Sequence, residues 1–117
     1  MRSSAFTKKE RIRKRADFID INLHGKRFRT ENFTIIAQPN GGVITRLGVT
    51  VSKRVGNSAK RNHVKRLIRE FFRHHKHAMP KGYDVVIVSL HEIQAPSLSK
   101  VREELGNVLV KNGEIFS

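Results

Sequence analysis

The apolar positions of this 117-residue chain change their period along its length, and each change marks an element. Between Ser58 and His77, Val64, Leu67, Ile68, Phe71 and Phe72 recur at i, i+3, i+4, i+7 and i+8, the repeat of one helix face. Asn57 or Ser58 suits the N-cap of this helix, and Pro80 with Gly82 closes its far end. Ala16 to His24 predicts a shorter helix with Phe18, Ile21 and Leu23 turned inward, Asp17 in the first turn and Gly25 as its stop. Lys26 to Arg29 reads as a short strand or arm. Phe33 to Gln38 is β-branched and runs into Pro39-Asn40-Gly41-Gly42, a strong turn signal. In the following Val43 to Ser52, Leu47, Val49 and Val51 alternate against Gly48, Thr50 and Ser52, so the two segments predict an antiparallel hairpin. Tyr83 to Leu90 is almost unbroken in its apolarity, as in a strand buried on both faces. Pro96 precedes a last helix, Ser97 to Lys111, with Leu98, Val101, Leu105, Val108 and Leu109 inside. Gly106 weakens that helix by about 1 kcal/mol relative to alanine. The order α-β-β-β-α-β-α predicts an α+β fold, a two-layer α/β sandwich of a mixed sheet with helices packed on it.

Charge changes this picture more than hydrophobicity does. The formal net charge is +14, and it is unevenly spread. Residues 1–29 hold ten Lys/Arg against three acids and residues 46–76 ten against one, whereas residues 77–117 hold four against five. Two cationic blocks in a chain of one-domain length imply a polyanionic partner, because contacts to phosphates release condensed counterions and relieve the self-repulsion. The chain is expected to be a single domain over 1–117, with residues 1–14 a flexible basic segment. There is no cysteine, which excludes a disulfide framework, a thiolate zinc site and a cysteine nucleophile. No apolar run approaches the roughly 20 residues that span a bilayer, and the N-terminus has no signal-peptide core. A soluble, cytoplasmic protein without a membrane partner is expected.

With roughly 100° of rotation per residue, Arg61, Lys65, Arg69, Arg73 and Lys76 fall within about 120° of one another, beside the apolar face of the long helix. Phe72 sits on the border, where its ring suits either side. Between Lys53 and Lys76 the only acid is Glu70, too few for a surface helix held by alternating ion pairs. Arginine suits bidentate phosphate recognition, and a helix N-terminus adds backbone N–H groups. Rings among cations suit single-stranded nucleic acid, where bases stack while cations follow the backbone. Phe6, Phe18, Phe28 and Phe72 are so placed, and core packing is the alternative for each. A DNA-reading helix-turn-helix fits less well, because strands surround the basic helix; no DNA partner is expected. The ten carboxylates are scattered and no nucleophile-elbow, zinc-protease or phosphate-loop motif occurs. His74 and His77 stand one turn apart, but no carboxylate or cysteine completes a metal site. No catalytic residue and no metal ligand is assigned to the polypeptide.

The string Arg61-Asn62-His63-Val64-Lys65-Arg66-Leu67-Ile68-Arg69 closely resembles the RNxxKRxxR signature of the bacterial ribonuclease P protein subunit. Arg46 to Asn57 resembles the strand and loop that lead into that helix in the family, Asp17-Phe18 with His24-Gly25 its first helix, and Tyr83 to Val88 its following strand. The resemblance implies a sandwich whose strand–helix–strand unit makes a left-handed crossover, against the usual rule. It also implies a division of labour. A large catalytic RNA with bound Mg²⁺ cleaves precursor tRNA to release the 5′ leader, and the protein binds the leader and supports productive metal binding. RNA contact would then fall to Lys53, Arg54, Lys60, Arg61, Asn62, Lys65, Arg66, Arg69 and Arg73. The leader would pass a cleft holding Phe18, Arg13 and Lys14. Many relatives carry a second aromatic one turn after Phe18, where this chain has Asn22, and another on the first long strand, where it has Ile36. The rival readings are a ribosomal-type RNA-binding protein without part in a reaction, and a self-contained metal-dependent nuclease, which would need clustered carboxylates.

Overall fold

The structure, a computed structural model, describes residues 5–117. Helix α1 spans Arg15–His24, strands β1 Lys26–Arg29, β2 Thr34–Pro39 and β3 Arg46–Val51 follow, then α2 Ser58–His75, β4 Tyr83–Ser89 and α3 Leu98–Gly106. The four strands form one mixed sheet in the order β1-β2-β4-β3. β2 pairs antiparallel with β1 and β4, whereas β3 pairs parallel with β4. The β2–β3 hairpin expected from the alternation does not form; β4 lies between the two strands. An alternating strand is satisfied by any neighbour, while a run apolar on both faces gains most at the centre of a sheet with both faces covered. Residues 40–45 therefore cross over the end of β4. Asn40 pins this crossing by donating from Nδ2 to the Ile44 carbonyl at 2.9 Å and to Asp84 Oδ1 at 2.9 Å.

β4 has an inner and an outer core. On one face Val85 and Ile87, with Ile35, Ala37 and Leu47, meet Val64, Ile68, Phe71 and Phe72 of α2 and Val101 and Leu105 of α3. On the other face Val86 and Ile36 meet Ile21 of α1 and Ile12, with Phe18 and Val88 packed alongside. Leu23, expected inside, is 70% exposed: α1 has only three turns and its inner side is filled by Phe18 and Ile21. Ser97 caps α3, accepting from the Lys100 N–H, and beyond Gly106 the helix widens into a π-helical turn, Asn107–Asn112, that keeps Val108 and Leu109 buried.

Residues 1–14 were expected to be a flexible basic segment. Met1–Ser4 lie outside the described residues, but Phe6, Glu10 and Ile12 tie the rest of the segment to the fold while its other side chains stay exposed. Ile12 is buried and its N–H donates to the Leu47 carbonyl at 2.9 Å, so the chain runs along the free edge of β3 before entering α1. Phe6 and Ile12 supply the apolar anchors that a reading of this stretch as mere charge overlooks.

Candidate nucleic-acid interface

The approach to α2 is built by two side-chain caps. Ser52 Oγ accepts from the Arg54 N–H, closing the short turn Lys53–Val55, and Asn57 Oδ1 accepts from the Lys60 N–H at the helix start. Val55, 2% exposed, fixes this turn in the core and leaves Lys53 and Arg54 in solvent ahead of the helix. Gly56 between them has φ 146°, a conformation side chains rarely adopt. Its carbonyl accepts from Arg61 Nη1 at 2.8 Å, and Arg61 Nη2 reaches Ser58 Oγ at 3.3 Å. Arg61 is thus half-buried and braces the turn.

Along α2 the cations divide into paired and unpaired sets. Lys60 Nζ meets Glu92 at 2.8 Å, and Arg73 is bonded to Glu70. The Arg73 guanidinium holds the Glu70 carboxyl below the usual carboxylate range, and its own pKa is raised in return. Lys76, expected in the basic stripe, instead turns inward to Glu10 at 2.8 Å and to the Ala5 carbonyl at 2.6 Å. Lys53, Arg54, Asn62, Lys65, Arg66 and Arg69 have no side-chain ion pair or hydrogen bond among the described residues. Taking about 100° per residue, Arg69, Asn62 and Arg66 share a 60° arc, roughly opposite buried Val64. Partial desolvation, and then the charge of Arg11, depress the pKa of Arg69. Unlike the other cations of this face, Arg11 comes from the N-terminal segment and was not singled out in the sequence, because no local spacing connects it with Arg69.

The second group lies on the outer core. The Phe18 ring is half-buried and so close to Gly48 that a Cβ there would sit 2.6 Å from Phe18 Cε1. Glycine at 48 is what lets the ring approach β3 this closely. Arg13 and Lys14 are exposed at the entry to α1, flanking this ring along the chain. The sheet face continues beyond α1 through Thr34, Val88 and Thr50, which are paired across β2, β4 and β3. Ile36 is 1% exposed beneath α1, and Asn22 accepts from Arg27 at 3.0 Å, so neither offers a stacking surface. Phe72, placed on the border by its spacing, is 1% exposed and meets Phe6 edge-to-face at 5.4 Å; it belongs to the core.

The carboxylates do not converge. Asp84, 4% exposed, is held by Arg46 through Nε at 2.8 Å and Nη2 at 2.6 Å, and Asp17 stands 3.7 Å from the same guanidinium. The Asp84 hydrogen bond raises the Arg46 pKa despite desolvation. Among the described residues no group of three or more His, Asp or Glu is placed to hold a metal ion. His75 stacks on Phe71 at 4.5 Å and His74 lies 3.3 Å from Glu70, so the histidines at the end of α2 are tied to that helix separately.

The model of the ribonuclease P family matches residues 6–113. The chain belongs to the ribonuclease P protein family. It is 43% identical over 111 residues to the ribonuclease P protein component of Syntrophus aciditrophicus, covering 95% of this chain and 93% of that one. With the corresponding protein of Thermotoga maritima it shares 37% identity over 111 residues, 92% of this chain and 95% of the other. The solved ribonuclease P protein of Thermotoga maritima superposes with a TM-score of 0.77 at 35% identity, covering 87% of this chain and 96% of that structure. That of Staphylococcus aureus gives 0.80 at 29% identity, covering 92% and 98%. No helix among the described residues is long and apolar enough to cross a membrane.

Proposed function

We propose that this chain is the protein subunit of a cytoplasmic ribonuclease P in which a partner RNA performs the cleavage of precursor tRNA. The carrying observation is the set of unpaired cations at the start and outer face of α2: Lys53, Arg54, Lys65, Arg66 and Arg69, with Asn62 among them. Cations without internal partners keep their full charge for a ligand, and an array of them along one helix can neutralise several phosphates at once. Lys60, Arg61 and Arg73 act from the same helix in a supporting role, since each already has a partner within the protein.

The leader of the precursor runs over the outer core past Phe18, with Arg13 and Lys14 on its phosphates. The Phe18 ring is half-buried and rests against Gly48, leaving part of it accessible to a base. The protein's scattered, engaged carboxylates support assigning Mg²⁺ to the RNA. The protein lowers the Mg²⁺ that the RNA requires by bringing its own cations to crowded phosphates.

Cleavage of precursor tRNA at low Mg²⁺, with protein alone, partner RNA alone and both together, tests this reading. Cleavage only with both is expected. Activity of the protein alone would make it a self-contained nuclease, and no effect of the protein on the RNA would make it an RNA-binding protein outside the reaction.

A further inference from the structure

Helix α1 is held on the outer face of the sheet by little apolar surface: Ile21 is its one buried residue, and the Phe18 ring beside it is half-buried. Apolar contact is non-directional, so a footprint this small keeps the helix on the sheet without fixing how far along the strands it lies. Polar contacts fix that. Gln38 of β2, Asp84 of β4 and Arg46 of β3 stand in register as one row across the sheet. Each end of the row meets a carboxylate of α1. Gln38 Nε2 donates to Asp20 Oδ2 at 2.8 Å, and the Arg46 guanidinium stands 3.7 Å from Asp17 Oδ2. The middle of the row keeps Arg46 in place. Buried Asp84 accepts from its Nε at 2.8 Å and its Nη2 at 2.6 Å, and Asn40 Nδ2 donates to the same carboxylate at 2.9 Å. Asp17 and Asp20 are one helical turn apart. The residue after each of them, Phe18 and Ile21, packs on the next row, Ile36–Val86–Gly48.

Rows on one face of a sheet lie about 6.7 Å apart along the strands, and Gly48 is the one position of its row without a side chain. A shift of α1 over even part of that spacing takes the Phe18 ring off Gly48. We propose that Arg46 and Asp17, with Gln38 and Asp20, are positioning residues for the precursor's 5′ leader: the two polar contacts set where α1 lies across the strands and so hold the Phe18 ring on Gly48, beside the sheet face that continues through Thr34, Val88 and Thr50. This rests on the reading of that face as the path of the leader. The four residues act through Phe18 and not by contact with RNA. The arrangement also deals with charge. A carboxylate beside a phosphate chain repels it, and the Arg46 guanidinium offsets that of Asp17, the residue next to the ring.

Arg46→Ala leaves Asp84 buried without its guanidinium and is expected to unfold the protein, so the test varies the helix side of the contact. Asp17→Asn, Asp17→Glu, Gln38→Ala, Phe18→Ala and Asp17→Asn/Phe18→Ala are each assembled with the partner RNA. Affinity of the complex for precursor and for mature tRNA is measured, with affinity of the protein for the partner RNA alongside. On charge alone Asp17→Asn tightens precursor binding, because it removes an acid from beside the leader. Lost positioning weakens it instead, by about three-fold, the scale of a partly exposed ion pair. Mature tRNA and the partner RNA are expected to bind as they do to the parent. Gln38→Ala acts in the same direction, and Asp17→Glu, which keeps the carboxylate, binds the precursor as the parent does. In the double variant the loss equals that of Phe18→Ala alone, because Asp17 acts only through the ring. Unchanged or tighter precursor binding by Asp17→Asn overturns the proposal, as does a double variant whose loss is the product of the two singles. Equal losses on precursor, mature tRNA and partner RNA reduce the contact to a structural one and overturn it too. If Phe18→Ala weakens precursor binding and Asp17→Asn does not, only the positioning is wrong; if Phe18→Ala has no effect either, the leader path itself is wrong.

Discussion

The outer face of α2 and the side built from residues 91–104 handle charge in opposite ways. On α2, Arg66, Arg69 and Lys65 stand without acids, while the one acid of that helix, Glu70, is occupied by Arg73. On the other side a cavity of about 640 Å³ is bordered by Glu31, Glu92, Glu103 and Glu104. Lys100 also lines this cavity and Lys60 reaches Glu92 from α2, while Glu104 is committed to the loop before β2, where its carboxylate accepts from the Asn32 N–H at 2.7 Å and from Asn32 Nδ2 at 2.9 Å. A net charge of +14 therefore describes neither side. The field has a direction, and on the proposed reading an approaching RNA is drawn to α2 rather than to the α3 side.

Writing the sign of the α3 side onto α2 breaks the contrast most severely. Arg66→Glu with Arg69→Glu is expected to weaken RNA binding by about a hundredfold or more in filter binding at moderate salt, since two phosphate contacts are lost and repulsion replaces them. The fold should survive, because both positions are exposed. Phe18→Ala separates the two RNA-facing regions: affinity for precursor tRNA falls about tenfold while affinity for mature tRNA stays near that of the parent, by the usual scale of base stacking. Equal losses on both would reduce Phe18 to a packing residue.

A smaller effect comes from acid. Glu10 titrates below its ordinary range in the fold, so the stability it contributes is complete above about pH 4.3, the usual glutamate value, and is lost as pH falls through its lowered folded value. The thermal midpoint of the parent should drop over that interval more than that of Glu10→Gln. Equal drops would show that the Glu10–Lys76 pair contributes nothing. The smallest effect is expected from Lys60→Ala, which opens an exposed pair with Glu92 across the border between the two sides. Its thermal midpoint should stay that of the parent; a clear fall would mean that this pair holds the 91–96 loop on α2.

The helices and the buried central strand were legible because their signals are local. The period of Val64, Ile68 and Phe71 identified the inner face of α2, and the unbroken run at Val85 to Val88 identified a strand covered on both sides. Strand order was not legible, since β-branching in β2 and alternation in β3 mark strands and inward sides but not which strand is adjacent. The cationic face was legible in outline, but which of its cations have acidic partners was not. Lys76 is withdrawn by Glu10, which is 66 residues distant, and Lys60 is engaged by Glu92, 32 residues distant. Phe72 looked like a border residue because the segment that covers it, at Phe6, carries a charge pattern that reads as an unstructured tail. Arg11 was missed for the same reason.

The central claim is that RNA is bound by the unpaired face of α2 and not by net charge. Two double variants of equal charge test it: Lys65→Ala with Arg66→Ala on α2, and Arg102→Ala with Lys111→Ala on the α3 side, all four judged by the slope of log affinity against log salt for the partner RNA. The first pair should reduce the slope by roughly 1.5, near two phosphate contacts, and the second should leave it at the parent value. Equal reductions in both would contradict the account and leave only a cationic protein drawn to RNA by its sum of charges.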